Sequence, residues 1–371
     1  MQKGKFSRCF SSDSTRLLVY NNQPFKLLRP IVYDFNVYND ALQLQWQKSV
    51  TVPYNYVDFD VLDLEVDSRG TVYVVGRVAV KRDDRTAKHI NYRYMVLAYD
   101  ETSAKPTEYR VDLDSVLITS INLNISPAGE LIFNGLYSNR ELDYAAGTFH
   151  ARIDPVTKGL SQKRTDVFDF EKFANNRSKH KKRLNTAAER VPEYPNLCVR
   201  DVISRPAGGS IMLIELFNEV SSETQGLTGR ALSPRYGYGL ILVCSMQPNG
   251  EIDWTAHIPK QQVMSYNSDM LGFVYAITQQ KIHILFNDHA SNYDGKARKA
   301  QAGKVANMNK MTVTTLATIN EDGSVTYTKV GSMENDGAVP LIKRAVQIDE
   351  NTLAIIATWK SRARIGTLHL P

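Results

Sequence analysis

The chain has 371 residues, of which 43% are hydrophobic and 23% charged, and this composition excludes a disordered protein. No run of 18 apolar residues is present, which excludes a membrane-spanning helix. The net charge of +6 indicates an anionic partner only if the basic residues cluster.

Three cysteines, Cys9, Cys198 and Cys244, lie far apart and lack the paired spacing of a zinc or redox site. Because free Cys is commonly buried, we predict three small, free and at least half-buried side chains. A single disulfide is the alternative.

One hairpin pattern opens each repeated unit of the chain. Its clearest copy is LEVDSRGTVYVVGRV at 64–78, where a turn from Asp67 to Gly70 joins two runs rich in Val. β-branched residues favour strands, and Asp and Gly tolerate turn dihedral angles. The same layout recurs at 11–22, 121–139, 202–219, 274–288 and 344–360.

A second hairpin follows, with an apolar first strand and a more polar second strand. An example is YDFNVYNDALQLQWQKSV at 33–50. Polar outer strands are typical of sheet edges that face water, whereas the apolar strands are predicted to be buried between neighbouring sheets. Further copies lie at 93–113, 147–166, 239–259 and 313–331.

Two hairpins make a four-stranded sheet, and a repeat of roughly 55 to 80 residues is typical of a β-propeller blade with inserts. We count five complete units and a sixth, ending at 364–371, that is one strand short. The sequence therefore predicts an all-β fold: a single β-propeller domain over 1–371 with about six four-stranded blades, the last one split between the termini or truncated. A pair of β-sandwiches or a β-solenoid is the alternative.

Six segments, in chain order, carry a resemblance to a known group of proteins: SSDSTRLLVYNN, VYNDALQLQWQKSVTVPY, DLEVDSRGTVYVVGRV, NISPAGELIFNGLYSN, GEIDWTAHIPKQQ and RARIGTLHL. Together they resemble a family of exported, propeller-like proteins common in Bacteroidetes. The resemblance implies a periplasmic, outer-membrane-associated or extracellular location. Family members are longer at the N-terminus, so the resemblance leaves open whether this chain is an N-terminal truncation. The family has no assigned activity, so the resemblance implies no catalytic residue, cofactor or metal.

Two basic inserts interrupt the repeats, at 167–194 and 289–311. Loops on a rigid scaffold often carry binding residues, and basic groups can bind phosphates. Solvated inserts without a binding role are the alternative, and the scarcity of aromatic residues in the first insert does not favour nucleic acid. The predicted partner-binding residues are Lys181, Lys182, Arg183, Lys296, Arg298 and Lys299.

The stretch NDHASNYD at 287–294 offers a cation three possible ligands, Asp288, His289 and Asp294. A calcium loop needs about six oxygen ligands at fixed spacing, so the pattern favours an ordinary turn. Four histidines fall in predicted strands, where a paired imidazole is commoner than a metal ligand; they are His150, His257, His283 and His369.

Acidic residues two apart on a strand share one face, as general acid and base catalysis would require. Asp58 with Asp60, and Asp63 with Glu65, have this spacing. Acids on a solvent-facing strand are the simpler interpretation, and no nucleophile elbow, metalloprotease or nucleotide-binding motif stands in the context it needs.

The sequence favours a non-enzymatic binding or scaffold propeller of the cell envelope that recognises a protein or glycan partner on a ring face. A propeller enzyme, a hydrolase or lyase with its site at the central channel, is the alternative. A third possibility is a phosphate-rich ligand bound by the two inserts.

Overall fold

The computed structural model describes most of the chain, and this part divides into two compact units. Unit 1 contains Met1–Leu142 and Gly147–Asp166, and unit 2 contains Asp143–Ala146 and Val167–Pro371. The described residues are 6–23, 29–79, 92–113, 116–126, 128–168, 193–205, 208–226, 229–265, 267–279, 281–295, 297–299, 306–360 and 362–371.

Unit 1 contains three antiparallel four-stranded sheets. The first consists of β1 (Phe6–Phe10), β2 (Arg16–Asn22), β3 (Pro30–Asn39) and β4 (Leu44–Asn55). The second consists of β5 (Phe59–Val66), β6 (Val72–Ala79), β7 (Tyr92–Tyr99) and β8 (Thr107–Val111). The third consists of β9 (Leu117–Ile125), β10 (Leu131–Ser138), β12 (Gly147–Ile153) and β13 (Leu160–Val167), whose last residue is assigned to unit 2.

Unit 2 begins with the short pair β11 (Tyr144–Ala145) and β14 (Tyr194–Pro195). The fourth sheet consists of β15 (Leu197–Ser204), β16 (Ser210–Gly226), β17 (Gly229–Met246) and β18 (Ile252–Ile258), with β19 (Gln262–Ser265) on β17. The fifth consists of β20 (Val274–Thr278), β21 (Lys281–His289), β24 (Thr312–Ile319) and β25 (Val325–Ser332). Between β21 and β24 lie a 3₁₀ turn (Ala290–Asn292), β22 (Tyr293–Asp294) and β23 (Ala297–Arg298).

The sixth sheet follows the short helix α1 (Met333–Asp336) and is three strands wide. Its strands are β26 (Val339–Pro340), β27 (Val346–Asp349), β28 (Thr352–Trp359) and β29 (Arg362–His369), with a 3₁₀ turn at Ile342–Arg344. Both β26 and β27 pair with β28 along one edge, and β29 pairs with the other.

The predicted fold class is confirmed: the protein is all-β and is built from consecutive, propeller-like four-stranded antiparallel sheets. The six predicted first hairpins are β1–β2, β5–β6, β9–β10, β15–β16, β20–β21 and β27–β28. The sixth unit is one strand short, as predicted. In the described residues β1 pairs with β2 and β29 with β28, so the two termini do not share a sheet there.

The middle strands of the sheets supply most of the hydrophobic core, since most of their apolar side chains are buried. Every residue of β24 is buried, whereas the outer strand β13 alternates between exposed and half-buried residues. In unit 1, Phe35 and Val37 of the first sheet pack with Val74 of the second. Burying one such side chain stabilises the fold by roughly 1.5 to 3 kcal/mol.

An extra residue, a β-bulge, interrupts the first strand of the second, third and fourth sheets and β27 of the sixth. The register shifts at Leu62 in β5, Thr119 in β9, Arg200 in β15 and Ile348 in β27. A bulge leaves one residue without a partner opposite and re-aims nearby side chains, so these positions mark places where the sheets can present a site.

Candidate functional site

A crevice of about 280 Å³ lies between the fourth and fifth sheets, within unit 2. We call it the basic crevice and define it by its lining residues. Aromatic and charged side chains dominate this lining, which is the combination that ligand pockets use to hold and orient small molecules. The lining residues are Arg200, Asp201, Glu215, Tyr238, Gly272, Phe273, Val274, Tyr275 and Lys343.

Glu215 is the centre of a buried ionic network beneath the crevice. Its Oε1 accepts a hydrogen bond of 2.6 Å from Lys260 Nζ, and its Oε2 accepts one of 2.8 Å from Arg200 Nε. The side chains of Lys260 and Glu215 are 0% and 2% exposed, whereas that of Arg200 is 32% exposed. The network therefore fixes Arg200 at the boundary between the interior and the crevice.

Lys260 is held by two further groups. Its Nζ donates to Gln262 Oε1 at 3.1 Å, and the same oxygen accepts the backbone N–H of Gly272 at 2.8 Å. Burial lowers the pKa of Lys260, and the adjacent Glu215 carboxylate opposes this effect. The Glu215 carboxylate and the Gln262 amide oxygen replace part of the hydration that a buried ammonium group loses.

Three cationic side-chain groups lie near the ring of Tyr238. The centroid lies 5.5 Å from Arg200 Cζ, 5.6 Å from Lys260 Nζ and 4.8 Å from Lys343 Nζ. Lys343 Nζ also donates to the Tyr238 hydroxyl and to Ser268 Oγ, both at 2.7 Å. Cation–π attraction and these hydrogen bonds hold the Lys343 ammonium over the aromatic ring.

Donors remain available in the basic crevice. Only Nε of the Arg200 guanidinium has a hydrogen-bond partner among the described residues, and no described carboxylate pairs with Lys343. Asp201 is engaged through Oδ2, which accepts the Tyr275 hydroxyl at 2.5 Å. Two cationic and two carboxylate side chains line the crevice, and the remaining guanidinium and ammonium donors of Arg200 and Lys343 can accept an anion.

The predicted partner-binding residues are distributed differently. Lys181, Lys182, Arg183 and Lys296 lie outside the described residues. Lys299 is exposed and donates from Nζ to the Ser291 carbonyl at 2.9 Å. Their role in binding stays a prediction.

Arg298 lies in the interior of unit 2. Its guanidinium is 0% exposed, pairs with Asp288 at 2.8 Å, donates to the Pro259 carbonyl and lies 4.6 Å from the Tyr327 ring centroid. These contacts describe a residue that ties β23 to the fifth sheet, with no exposed side-chain surface.

Residues 287–294, where the sequence favours an ordinary turn over a cation site, form the segment around the first 3₁₀ turn. Asp288 is buried and accepts from Asn292 Nδ2 at 2.6 Å as well as from Arg298, while His289 Nδ1 accepts the Ser291 N–H. Asp294 is exposed. Within the described ranges, no group of three His, Cys, Asp or Glu side chains is arranged to hold a metal ion.

The sequence analysis did not predict the residues of the buried ionic network. Glu215 is a lone carboxylate in the apolar run SIMLIELF, a pattern that could have indicated a buried ion pair. Lys260, its partner 45 residues later, gives no such signal because it follows a strand in the polar stretch PKQQ.

No protein-family model and no curated protein sequence matches this chain. Its structure is similar to a protein of unknown function from Dyadobacter fermentans, with a TM-score of 0.37 and 9% identity over 98% of this chain and 94% of that one. A variant of Synechocystis apocarotenoid oxygenase follows at a TM-score of 0.36 and 9% identity, covering 99% of this chain and 61% of the oxygenase.

The WD40 domain of SCAP from fission yeast is also similar, with a TM-score of 0.33 and 9% identity over 95% of this chain and 93% of that domain. The similar structures include uncharacterised Bacteroidetes proteins, from Dyadobacter and Bacteroides. At these identities and TM-scores none of the likenesses assigns an activity.

In the part of the chain that the structure describes, we find no helix with the length and apolar character needed to cross a bilayer.

Proposed function

We propose that this protein is a non-enzymatic binding module of the cell envelope whose basic crevice captures a small carboxylate-bearing ligand, such as the acidic sugar of a glycan. The observation that carries the proposal is the presentation of Arg200 and Lys343 in one crevice over the Tyr238 ring. A planar guanidinium pairs with a carboxylate through two parallel hydrogen bonds. The half-buried rings of Phe273 and Tyr275 add aromatic surface to the lining, on which the apolar face of a sugar can pack.

The size and rigidity of the crevice support a small ligand. Its volume of about 280 Å³ lies near the lower end of ligand pockets, which is sufficient for one sugar ring. Because Glu215 and Tyr238 hold the cations in place before a ligand arrives, binding costs little side-chain entropy.

Titration with glucuronate, with glucose as the uncharged match, tests this proposal. Glucuronate should raise the melting temperature and glucose should not, because only the former carries the carboxylate. Lys343→Met should weaken glucuronate binding by about tenfold, as expected for loss of one charged hydrogen bond. Lys329→Met, which removes an exposed lysine from β25, is the matched control and should bind like the wild type.

Equal effects of glucuronate and glucose, or unchanged binding by Lys343→Met, would contradict the proposal. Inorganic phosphate is the third titrant. If phosphate bound more tightly than glucuronate, the group that the crevice recognises would be a phosphate and not a carboxylate.

A further inference from the structure

A larger crevice, of about 700 Å³, lies between the first and second sheets of unit 1. We call it the acidic crevice. Aromatic side chains of both sheets line it, namely Tyr20, Tyr33, Tyr56 and Phe59. Tyr20 and Tyr56 are half-buried, and the Tyr56 hydroxyl donates to Asn22 Oδ1 at 2.6 Å. The aromatic wall is therefore partly open and partly fixed by hydrogen bonds.

The bulge at Leu62 brings carboxylates onto one face of the second sheet. Asp60 lies opposite Arg77 of β6, and Asp63 lies opposite Val75. Because residues 75 and 77 are two apart on a regular strand, they share a face, and so do their partners. Glu65, opposite Tyr73, extends the same face.

Among the described residues that line this crevice, one is a cation, and it is already paired. Arg77 Nε donates to Asp60 Oδ2 at 3.0 Å, and its Cζ lies 4.1 Å above the Tyr92 ring. Asp63 adds a second carboxylate to the lining. The described lining therefore carries a net negative charge, and its one cation, Arg77, lies between a carboxylate and an aromatic ring.

The electrostatic effect is visible at a neighbouring thiol. Burial, assisted by the Glu65 and Asp63 carboxylates, which disfavour the thiolate, raises the pKa of Cys9 to about 12. Both carboxylates also raise the pKa of Tyr20, after the larger effect of burial. An anion is thus disfavoured at this place, and a cation is favoured.

The cation that fits is extended rather than compact. In the described part of the chain, the carboxylates do not converge with other ligands on one point that could hold a metal ion. An organic ammonium group with an alkyl chain can contact a carboxylate and an aromatic face at once, and 700 Å³ is ample for such a molecule.

We propose that the acidic crevice is a second binding site, specific for an organic ammonium ligand held between the Asp60 and Asp63 carboxylates and the rings of Tyr20 and Tyr56. This site is independent of the basic crevice, because all of its residues belong to unit 1.

Isothermal titration with cadaverine and with tetramethylammonium tests the proposal. Both should bind, and Asp63→Asn should weaken binding by about tenfold, since it removes one charged contact while its amide oxygen can still accept the Leu64 N–H. Tyr20→Leu should weaken tetramethylammonium more than cadaverine, because a quaternary ammonium offers no hydrogen bond and depends on the ring.

Asp112→Asn is the matched control, since it removes one negative charge from an exposed ion pair with Arg110. It should bind both ammonium probes like the wild type. Melting curves of each unliganded variant establish that it folds. Absence of binding by the folded wild type, equal loss in Asp63→Asn and Asp112→Asn, or tighter binding of glucose than of either ammonium ion would overturn the proposal.

Discussion

The acidic crevice adjoins the second sheet and the basic crevice adjoins the fourth, and the two present different charged groups to a ligand. Each adjoins a first strand with a bulge, and in each the residue after the bulge is an aspartate. Asp63 Oδ1 accepts the Leu64 N–H at 2.9 Å, and Asp201 Oδ1 accepts the Val202 N–H at 2.7 Å. The difference lies in the bulged residue itself, which is Leu62 in one sheet and Arg200 in the other.

The two crevices also differ in how deeply their charges lie. In the acidic crevice the pair of Asp60 and Arg77 is 53% and 28% exposed, whereas Glu215 and Lys260 beneath the basic crevice are almost fully buried. Exposed pairs contribute little to stability, but a buried charge that loses its partner is costly. Substitutions should therefore affect binding in unit 1 and the fold itself in unit 2.

The largest effect is expected from Glu215→Gln. It leaves the buried Lys260 ammonium without a carboxylate and should lower the free energy of unfolding by about 3 kcal/mol. Urea unfolding followed by circular dichroism measures the change. Asp60→Asn, which breaks the exposed pair with Arg77, should cost less than about 1 kcal/mol.

The double variant Glu215→Leu/Lys260→Met distinguishes the cost of leaving a buried charge unpaired from the cost of losing the ion pair itself. Replacing both charges by apolar groups should recover most of the stability lost in Glu215→Gln. If Glu215→Gln and Asp60→Asn lowered the free energy of unfolding by similar amounts, the charges of the two crevices would not differ in their effect on stability.

Acid should weaken the fold through His150 of unit 1. Its Nδ1 donates to Asn134 Oδ1 at 2.9 Å, and burial, assisted by Arg152, lowers the pKa of His150 from 6.5 to about 4. Between these values only the unfolded chain binds the proton, so stability is complete above pH 6.5 and falls as the pH approaches 4. The loss should reach about 2 to 3 kcal/mol.

Unfolding free energies measured across this pH range, in the wild type and in His150→Gln, check the assignment. The variant lacks the titrating ring and should show a shallower decline. An identical slope in both proteins would assign the acid sensitivity to other groups.

Exchanging the residue types at positions 62 and 200 tests whether the bulged residue determines the ligand preference of each crevice. Leu62→Arg should weaken cadaverine binding, and Arg200→Leu should weaken glucuronate binding, each by about tenfold. Leu62 is 42% exposed and has no partner opposite, so Leu62→Arg should change stability by less than about 0.5 kcal/mol. Calorimetric titration measures the affinities. If they were unchanged, the bulged residue would not determine which ligand binds.

The smallest effect concerns two turn glycines with positive φ, Gly70 (+88°) and Gly323 (+79°), each beside a tryptophan. A Cβ at Gly70 would lie 3.4 Å from Trp46 Nε1, an ordinary contact, but at Gly323 it would lie 2.8 Å from the Trp254 ring. Gly70→Ala should cost about 1 kcal/mol from backbone strain alone.

Gly323→Ala should cost about 1 kcal/mol more than Gly70→Ala, because the indole must also move. Thermal melting of the two variants measures the difference. Equal melting temperatures would mean that Trp254 adjusts without cost.

Local sequence patterns were sufficient to predict the sheets, because turns such as Asp67–Gly70 and strands such as β24 are determined by neighbouring residues. The bulges were not predictable, since a register shift depends on the strand opposite. Asp58 illustrates this, because the sequence predicts that Asp58 and Asp60 share one face of a strand. In the structure Asp58 lies in the turn before β5, and the residue that shares a face with Asp60 is Asp63.

The sites were less predictable than the fold, because they join residues distant in the chain. Glu215 and Lys343 line one crevice although they lie in different sheets and elements. Charge clusters in the sequence directed attention to the inserts, whereas the structure buries Arg298 and gathers isolated charges such as Arg200.

The bulges bear on how such a chain can change during evolution. A residue without a partner opposite can be replaced while every other pair in the sheet keeps its register. A single substitution at 62 therefore alters the charge offered to a ligand without disturbing the packing of the sheets, whereas one at 200 also removes an ion pair of the buried Glu215. Repeated sheets with bulges at corresponding places allow duplicated units to diverge in ligand preference while retaining a common scaffold.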